Sequence, residues 1–178
     1  YAGLCAKRMG LPVDKLICAS NRNNILNRFF NSGLMERKNV EPSLSPSMDI
    51  QVSSNFERLL FEIYDRDSAK VKFDLEQFKT KGVYEIGKDK LNSLKNDFLS
   101  YYLDDEGIVK EIARVYKNNK IIIDPHSACG TFSAEQARKN NEIDEKTPII
   151  SLACAHPCKF PDAVYKSIKV KPSLPNDS

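Results

Sequence analysis

The sequence lacks several features that would mark common functional classes. No apolar stretch approaches the length of a membrane span and no signal peptide opens the chain, so we expect no membrane association. The formal net charge is only +3 and the lysines are scattered, which argues against a nucleic-acid partner. Phosphate-binding loops, dinucleotide fingerprints and hydrolase nucleophile elbows are also absent.

What remains is typical of an ordinary globular protein. The 178 residues are enough for one domain with a sizeable core, and 41% of them are hydrophobic and 29% charged. The number of cysteines is odd, which argues against a disulfide framework and favours a reducing, cytoplasmic location. These cysteines are Cys5, Cys18, Cys129, Cys154 and Cys158.

Two apolar runs that stop at polar residues are the most informative feature. They are IIIDPH at residues 121–126 and ISLACAHP at residues 150–157. Uninterrupted aliphatic runs are typical of strands buried on both faces of a parallel sheet. Ligands bind beyond the carboxyl ends of such strands. We therefore predict that Asp124, Cys154 and both histidines lie on one rim of an α/β sheet.

Each of these residues also has a simpler interpretation. Asp124 precedes a proline and could be only a turn residue. His126 and His156 could be ordinary residues of a helix start or a loop. Cys154 could be a small core residue, since free cysteine is among the most buried types.

The expected elements alternate between helices and short strands. Ser54 and Glu57 have the spacing of a capping box that opens a helix with a strong apolar stripe. The other expected helices are 2–10, 24–32, 66–103 with a break at 82–87, 104–118, 126–139 and 160–168, and the expected strands are 15–19, 120–123 and 148–153. Three buried strands make an incomplete sheet, and the chain opens inside an uncapped helix. We therefore expect further chain upstream to complete the sheet.

A zinc site is the alternative that the residues themselves suggest. The candidate ligands are His126, Cys129, Cys154, His156 and Cys158. Nitrogen and sulfur ligands suit zinc, but this spacing matches no familiar pattern, and ligands at every second residue would strain a tetrahedron.

Several segments resemble the C-terminal part of the threonine synthase family, which consists of fold type II pyridoxal-phosphate (PLP) enzymes. They are AKRMGLP at 6–12, NRNNILNRF at 21–29, LSPSMDIQVSSNFERLL at 44–60, DPH at 124–126 and AHPCKF at 155–160. The segment at 44–60 is highly specific, and the shorter ones occur in the right order. The resemblance extends from residue 1 to about residue 168 and is weaker between 66 and 103.

The resemblance implies the C-terminal part of a three-layer α/β/α fold, with an incomplete, mainly parallel sheet and a helical insertion. Residues 1–65 and 120–170 would belong to the PLP-binding domain. Residues 66–119 would form the insertion or peripheral helices, and residues 171–178 a loose tail.

The resemblance also implies a reaction. The family converts O-phosphohomoserine and water into threonine and phosphate, with PLP as the cofactor. Its Schiff-base lysine and its phosphate-binding loop both lie upstream of the segments matched here. We therefore expect no catalytic residue in this chain, no activity of the chain alone, and a requirement for the N-terminal part of the same enzyme.

Two residues are implied to contact the cofactor. The family places a threonine or serine hydroxyl against the pyridine nitrogen, at the position that Cys154 occupies here. Asp124 falls where related enzymes place an acidic residue beside the cofactor ring. The chain departs from the family at two positions. It has Asn24 where the family often has aspartate, and Cys158 where the family often has a small residue.

Other polar residues are implied to act on the substrate side. Residues 48–55 resemble the loop that lines this side, with Asp49 and Asn55 as the polar contributors. His126 and His156 would support the turns at the strand ends.

Three other functions remain open at this point. The chain could belong to another fold type II lyase that performs β or γ elimination. It could come from a relative without catalytic activity, or it could be a zinc-binding interaction module.

Overall fold

The computed structural model describes residues 1–174, which divide into two compact units. The first unit contains Tyr1–Cys18, Asn24–Val40 and Ile50–Ser100. The second contains Ala19–Asn23, Glu41–Asp49 and the chain from Tyr101 onward.

The elements follow one another in mixed α/β order. The helices are α1 (Ala2–Arg8), α2 (Ile25–Ser32), α3 (Phe56–Ile63), α4 (Ser68–Lys81), α5 (Lys88–Asp97), α6 (Asp105–Asn119), α7 (Pro125–Lys139) and α8 (Pro161–Ile168). Short 3-10 turns span Pro46–Met48 and Pro157–Lys159. The strands are β1 (Leu16–Ser20), β2 (Leu34–Glu36), β3 (Val83–Glu85) and β4 (Phe98–Tyr102). β1 pairs with β4 in a small parallel sheet, and β2 pairs antiparallel with β3.

The first unit is built around an aromatic core. Phe29 of α2 is fully buried and contacts the edge of Phe56 of α3, with ring centroids 4.7 Å apart. Tyr84 of β3 pairs with Met35 of β2 and stacks on Phe29 at 6.1 Å. The predicted apolar stripe of α3 therefore faces the core, as its helical spacing required.

The second unit is built around α6, which packs against both α7 and α8. Asp104 caps α6 by accepting a hydrogen bond from the backbone N–H of Gly107. The apolar face of α6 contributes Ile108 and Ile112, and α7 contributes Ala128 and Cys129 to the same core. This arrangement holds the N-terminus of α7 in a buried position.

Two details of the predicted elements are wrong. The capping box at Ser54 and Glu57 does not form, because Asn55 is the N-cap of α3 and makes no capping hydrogen bond with its side chain. The region 66–103 is not purely helical, since it contains β3 and β4. Short strands of three to five residues lack a periodic signal, because their pairing depends on distant segments.

The predicted strands at 120–123 and 148–153 are also absent from the secondary structure of residues 1–174. Both segments are irregular, and Ile150 and Leu152 are 86% and 77% exposed. An aliphatic run favours a strand, but a strand forms only where a partner offers backbone hydrogen bonds. The division at 65, 119 and 170 stays a prediction, and residues 175–178 of the predicted tail lie outside the described residues.

None of the helices within the described range combines the length and the apolar character that a membrane span requires.

The left-handed backbone conformation of Gly33 allows the fold of the first unit to be tested. It ends α2 with a φ of 81°, and an added Cβ would lie 3.2 Å from Ile86 Cγ2 and Leu91 Cδ2. We expect Gly33→Ala to lower the free energy of unfolding by about 1–2 kcal/mol through backbone strain alone, with crowding adding to this loss. Chemical denaturation of the full-length protein measures it.

Gly87→Ala is the matched control, because Gly87 has a φ of −60° and no heavy atom within 4 Å of the added Cβ. Equal losses of stability in the two variants would contradict the role assigned to Gly33.

Candidate functional site

The N-terminus of α7 is organised by one carboxylate. Asp124 is the N-cap residue, and Pro125 occupies the first turn, where its missing N–H is not needed. The Asp124 side chain accepts hydrogen bonds from the backbone N–H groups of His126 (2.9 Å) and Ser127 (3.3 Å). Two donors that a helix start leaves unpaired are thereby satisfied.

The same carboxylate accepts two further hydrogen bonds from side chains. His126 Nδ1 lies 2.7 Å from Asp124 Oδ2, and the Ser127 hydroxyl donates to Oδ1. Burial favours a higher pKa for Asp124, which is 1% exposed, but the hydrogen bonds from Ser127 and His126 outweigh burial and lower the pKa. Asp124 is therefore an ionised, buried anchor.

His126 connects this anchor to a loop. Its Nε2 accepts a hydrogen bond from the backbone N–H of Ser47 at 3.1 Å. Because Nε2 accepts, we assign the ring proton to Nδ1, which donates to Asp124. The ring is buried and packs against Phe160, with centroids 4.8 Å apart.

Ser127 connects the anchor to a second segment. Its Oγ accepts a hydrogen bond from the backbone N–H of Cys154 at 3.0 Å while its hydroxyl proton points to Asp124. The Cys154 thiol itself is exposed. Partial burial and the nearby charge of Asp124 raise the pKa of this thiol, so it stays neutral at physiological pH.

The loop Glu41–Asp49 is closed by a second carboxylate. Asp49 Oδ1 accepts hydrogen bonds from Asn21 Nδ2 (2.7 Å), Asn23 Nδ2 (2.9 Å) and Ser43 Oγ (2.6 Å), and Oδ2 accepts from Ser43 N (3.0 Å). Asn21 is 1% exposed and also bonds Ser45, so this polar cluster fixes the conformation of the loop.

α6 holds the same loop from another side. Asp105 Oδ1 accepts a hydrogen bond from Leu44 N at 3.0 Å, and its Oδ2 lies 3.3 Å from a guanidinium nitrogen of Arg22. The loop is thus tied to the strand end after β1, to α6 and to α7.

The structure brings together some of the residues predicted for the site. Asp124, His126 and Cys154 are linked by hydrogen bonds, and Asp49 lies in the loop that His126 holds. His156 is exposed, and its Nδ1 accepts from the backbone N–H of Cys158 at 3.3 Å. Asn55 belongs to the first unit, where its Oδ1 accepts a hydrogen bond from Arg58.

Other polar residues of the site were not identified from the sequence. Ser127 stands three positions after an N-cap aspartate, a spacing at which side chains commonly return to the cap, and this signal could have identified it. Asn21 and Asn23 follow a strand and are compatible with a simple turn. Their common partner, Asp49, is more than 20 positions away, and no local pattern indicates that pairing.

Residues 1–174 contain no group of three or more histidine, cysteine or acidic side chains placed to hold a metal ion. Cys129, one of the five ligands suggested for zinc, is fully buried, and burial raises the pKa of its thiol to about 12. The zinc alternative therefore gains no support from the geometry.

Comparison with known proteins first defines the class of fold. The crystal structure of PLP-bound threonine synthase from Brucella melitensis superposes with a TM-score of 0.91 at 42% identity, covering 98% of this chain and 37% of that one. The yeast threonine synthase structure superposes with a TM-score of 0.88 at 36% identity, covering 99% of this chain and 37% of its own. The chain therefore has the mixed α/β fold of the C-terminal part of a fold type II PLP enzyme.

Sequence comparison indicates the same similarity. Residues 127–178 match the family model described as threonine synthase, C-terminal. The threonine synthase of Pseudomonas aeruginosa is 42% identical over 176 residues, which cover 98% of this chain and 37% of that protein. The chain is similar to the C-terminal portion of threonine synthases, and it spans 35–37% of the length of the bacterial and fungal threonine synthases it matches.

The lowered pKa of Asp124 predicts how the stability of the protein depends on pH. Its pKa in the folded protein lies below the ordinary 3.8, so its contribution to stability is complete above about pH 4 and is lost as the pH falls through the lowered pKa. We expect Asp124→Asn to lower the free energy of unfolding by about 1–3 kcal/mol at pH 7 and to flatten its acid dependence. Denaturation curves of the full-length protein, recorded over about five pH units from pH 2 to pH 7, measure this pH dependence.

Asp162→Asn serves as the control, because Asp162 is an exposed carboxylate in the first turn of α8. If Asp124→Asn and the unmodified protein lose stability equally between neutral and acid pH, the anchoring role is wrong.

Proposed function

We propose that this chain is the C-terminal portion of a cytoplasmic threonine synthase, which converts O-phosphohomoserine and water into threonine and inorganic phosphate with PLP. The superposition on the PLP-bound enzyme of Brucella melitensis, at 42% identity across 98% of the chain, carries this proposal. The similarity is spread over both units rather than confined to one motif. All five cysteines are free, which suits a reducing compartment.

Cys154 fits the part of the cofactor site assigned to it. When bound, PLP supplies an electron sink for the substrate carbanion. A neutral partner would leave the pyridine nitrogen largely unprotonated and moderate that sink, whereas a carboxylate would favour the protonated nitrogen. The thiol is exposed and neutral, and it is a weak hydrogen-bond donor, so it can replace the hydroxyl found in the family.

Asp124 acts on this site through its neighbours. Its carboxylate oxygens are occupied by donors from His126 and Ser127, so it orients these residues and adds a fixed negative charge near Cys154. His126 in turn holds the loop that contains Asp49 through its bond to Ser47. His156 supports the turn after Cys154.

Residues 48–55 line the substrate side, with Asp49 as one polar contributor. The hydrogen bonds around Asp49 fix the conformation of the loop at 41–49, and a loop fixed in this way lowers the entropic cost of binding. Asn55, whose side chain is exposed, is the second polar residue that we assign to the substrate.

The chain does not act alone. The lysine that binds PLP and the loop that binds its phosphate belong to the N-terminal part of the enzyme, which is the required partner of this portion. An isolated chain has Cys154 and the substrate loop but no means of holding the cofactor covalently, so we expect it to be inactive.

The full-length protein tests this function directly. Incubation with O-phosphohomoserine should release phosphate and form threonine in equal amounts, and the purified protein should absorb in the near-visible through its bound PLP. The chain of 178 residues alone should do neither.

The alternatives give different results in the same preparation. Elimination from O-phosphoserine or O-acetylserine without threonine formation would indicate another fold type II lyase. A colourless full-length protein would indicate a relative without catalytic activity, and zinc in elemental analysis would indicate a metal-binding module.

The role of Cys154 predicts opposite effects for two substitutions in the full-length protein. Cys154→Thr keeps a neutral hydrogen-bonding group, and we expect kcat to stay within about threefold. Cys154→Asp adds a carboxylate whose negative charge would favour the protonated form of the pyridine nitrogen, and we expect kcat to fall by about a hundredfold. Phosphate release and the near-visible spectrum measure both effects.

Cys158→Asp is the control, because Cys158 lies four positions away and has no assigned contact with the cofactor. Unchanged activity in Cys154→Asp would remove Cys154 from the site.

A further inference from the structure

The segment 151–154 packs against one face of the N-terminal part of α7. We call this face, formed by Ser127 and Gly130, the seat. Ser127 and Gly130 are three positions apart and therefore lie on the same face of the helix. A Cβ on Gly130 would approach the Ser151 hydroxyl to 2.7 Å, so the segment lies directly against this face. The hydrogen bond from Cys154 N to Ser127 Oγ lies at the other end of the seat.

The segment has few other means of keeping its position within residues 1–174. Residues 148–154 are irregular and belong to neither of the two sheets described above. Ile150 and Leu152 are largely exposed, so their side chains contribute little burial. The bond between Cys154 and Ser127 is therefore the polar contact that fixes the end of the segment.

The direction of this bond is set by the buried carboxylate. A serine hydroxyl has one proton, and that of Ser127 goes to ionised Asp124, which can only accept. The Ser127 oxygen must then present a lone pair outward, which suits the backbone N–H of Cys154. Ser127 is 5% exposed, so water does not easily replace it.

We propose that Ser127 is a positioning residue of the enzyme. Its hydroxyl is held by Asp124 and accepts a hydrogen bond from the backbone of Cys154, which places the thiol beside the cofactor ring. The role beside the ring rests on the proposed function. The hydrogen-bonded seat does not depend on it. Ser127 touches neither cofactor nor substrate in this assignment.

Amide hydrogen exchange of the full-length protein, measured by mass spectrometry, tests the seat. In Ser127→Ala we expect exchange in peptides covering 148–156 to rise about fivefold, as the loss of one hydrogen bond implies. Peptides covering 41–49 should not change, because His126 holds that loop independently. Ser127→Thr keeps the hydroxyl and should restore slow exchange.

Ser133→Ala is the matched control. Ser133 is a fully buried serine of the same helix, and its hydroxyl donates to Cys129 O at 2.8 Å, within α7. We expect no change at 148–156 in this variant. An equal rise in Ser133→Ala and Ser127→Ala, or no rise in Ser127→Ala, would overturn the proposal.

A second measurement covers the case in which Ser127→Ala does not fold. In the unmodified protein, residue-resolved exchange should be slower at the Cys154 amide than at the amides of 151–153, and equal rates would overturn the seat. The near-visible spectrum separates a positioning role from a purely structural one. Ser127→Ala should shift the cofactor absorbance and lower kcat more than it raises KM, with recovery in Ser127→Thr.

The failures of the two proposals can be told apart. Faster exchange in Ser127→Ala with an unchanged spectrum and kcat would leave a structural bond and overturn the positioning role. A protein that binds no PLP and makes no threonine would overturn the proposed function, while the exchange measurements would still decide whether Ser127 holds Cys154.

Discussion

A carboxylate removed from water must find hydrogen-bond donors in the protein, and Asp124 finds all of its donors in the first turn of the helix that it caps. This local solution has consequences beyond the helix. Because Asp124 fixes the orientation of the His126 ring and the Ser127 hydroxyl, each of these side chains has one defined group left for a distant backbone N–H. His126 Nε2 accepts a hydrogen bond from Ser47 N, and Ser127 Oγ accepts one from Cys154 N.

The candidate site therefore consists of loops held by a rigid element. The polar cluster around Asp49 fixes the inner conformation of the loop at 41–49, and His126 fixes its attachment to α7. The segment that ends at Cys154 has no strand partner in the described part of the chain and relies on Ser127. Preorganised positions of this kind are what an enzyme site requires, since a displacement of about 1 Å can cost much of the rate.

Sequence periodicity identified α2, α3 and α6 because each has an apolar face that repeats with the helical period. α1, α2, α6, α7 and α8 lie within two residues of their predicted bounds. The strands β2, β3 and β4 were missed, and the strands predicted at 120–123 and 148–153 did not form, because strand formation depends on a partner far away in sequence. For the site, the motif Asp-Pro-His indicated Asp124 and His126, but nothing local indicated Ser127 or the pairing of Asn21 with Asp49.

The sequence by itself determined the family resemblance, the helices and the residue types available for chemistry, since these follow from local order and composition. Only the tertiary structure decided how those residues are used. In the folded chain Asp124 is buried, and His126 accepts a hydrogen bond at Nε2, which leaves its proton on Nδ1. The Cys154 thiol is exposed and neutral, and two loops are hydrogen-bonded to one helix. The physical reason is that burial and hydrogen-bond partners depend on segments far apart in the sequence. Cys154 and Ser127 are 27 positions apart, and Ser47 and His126 are 79 positions apart, so no local pattern indicates either bond.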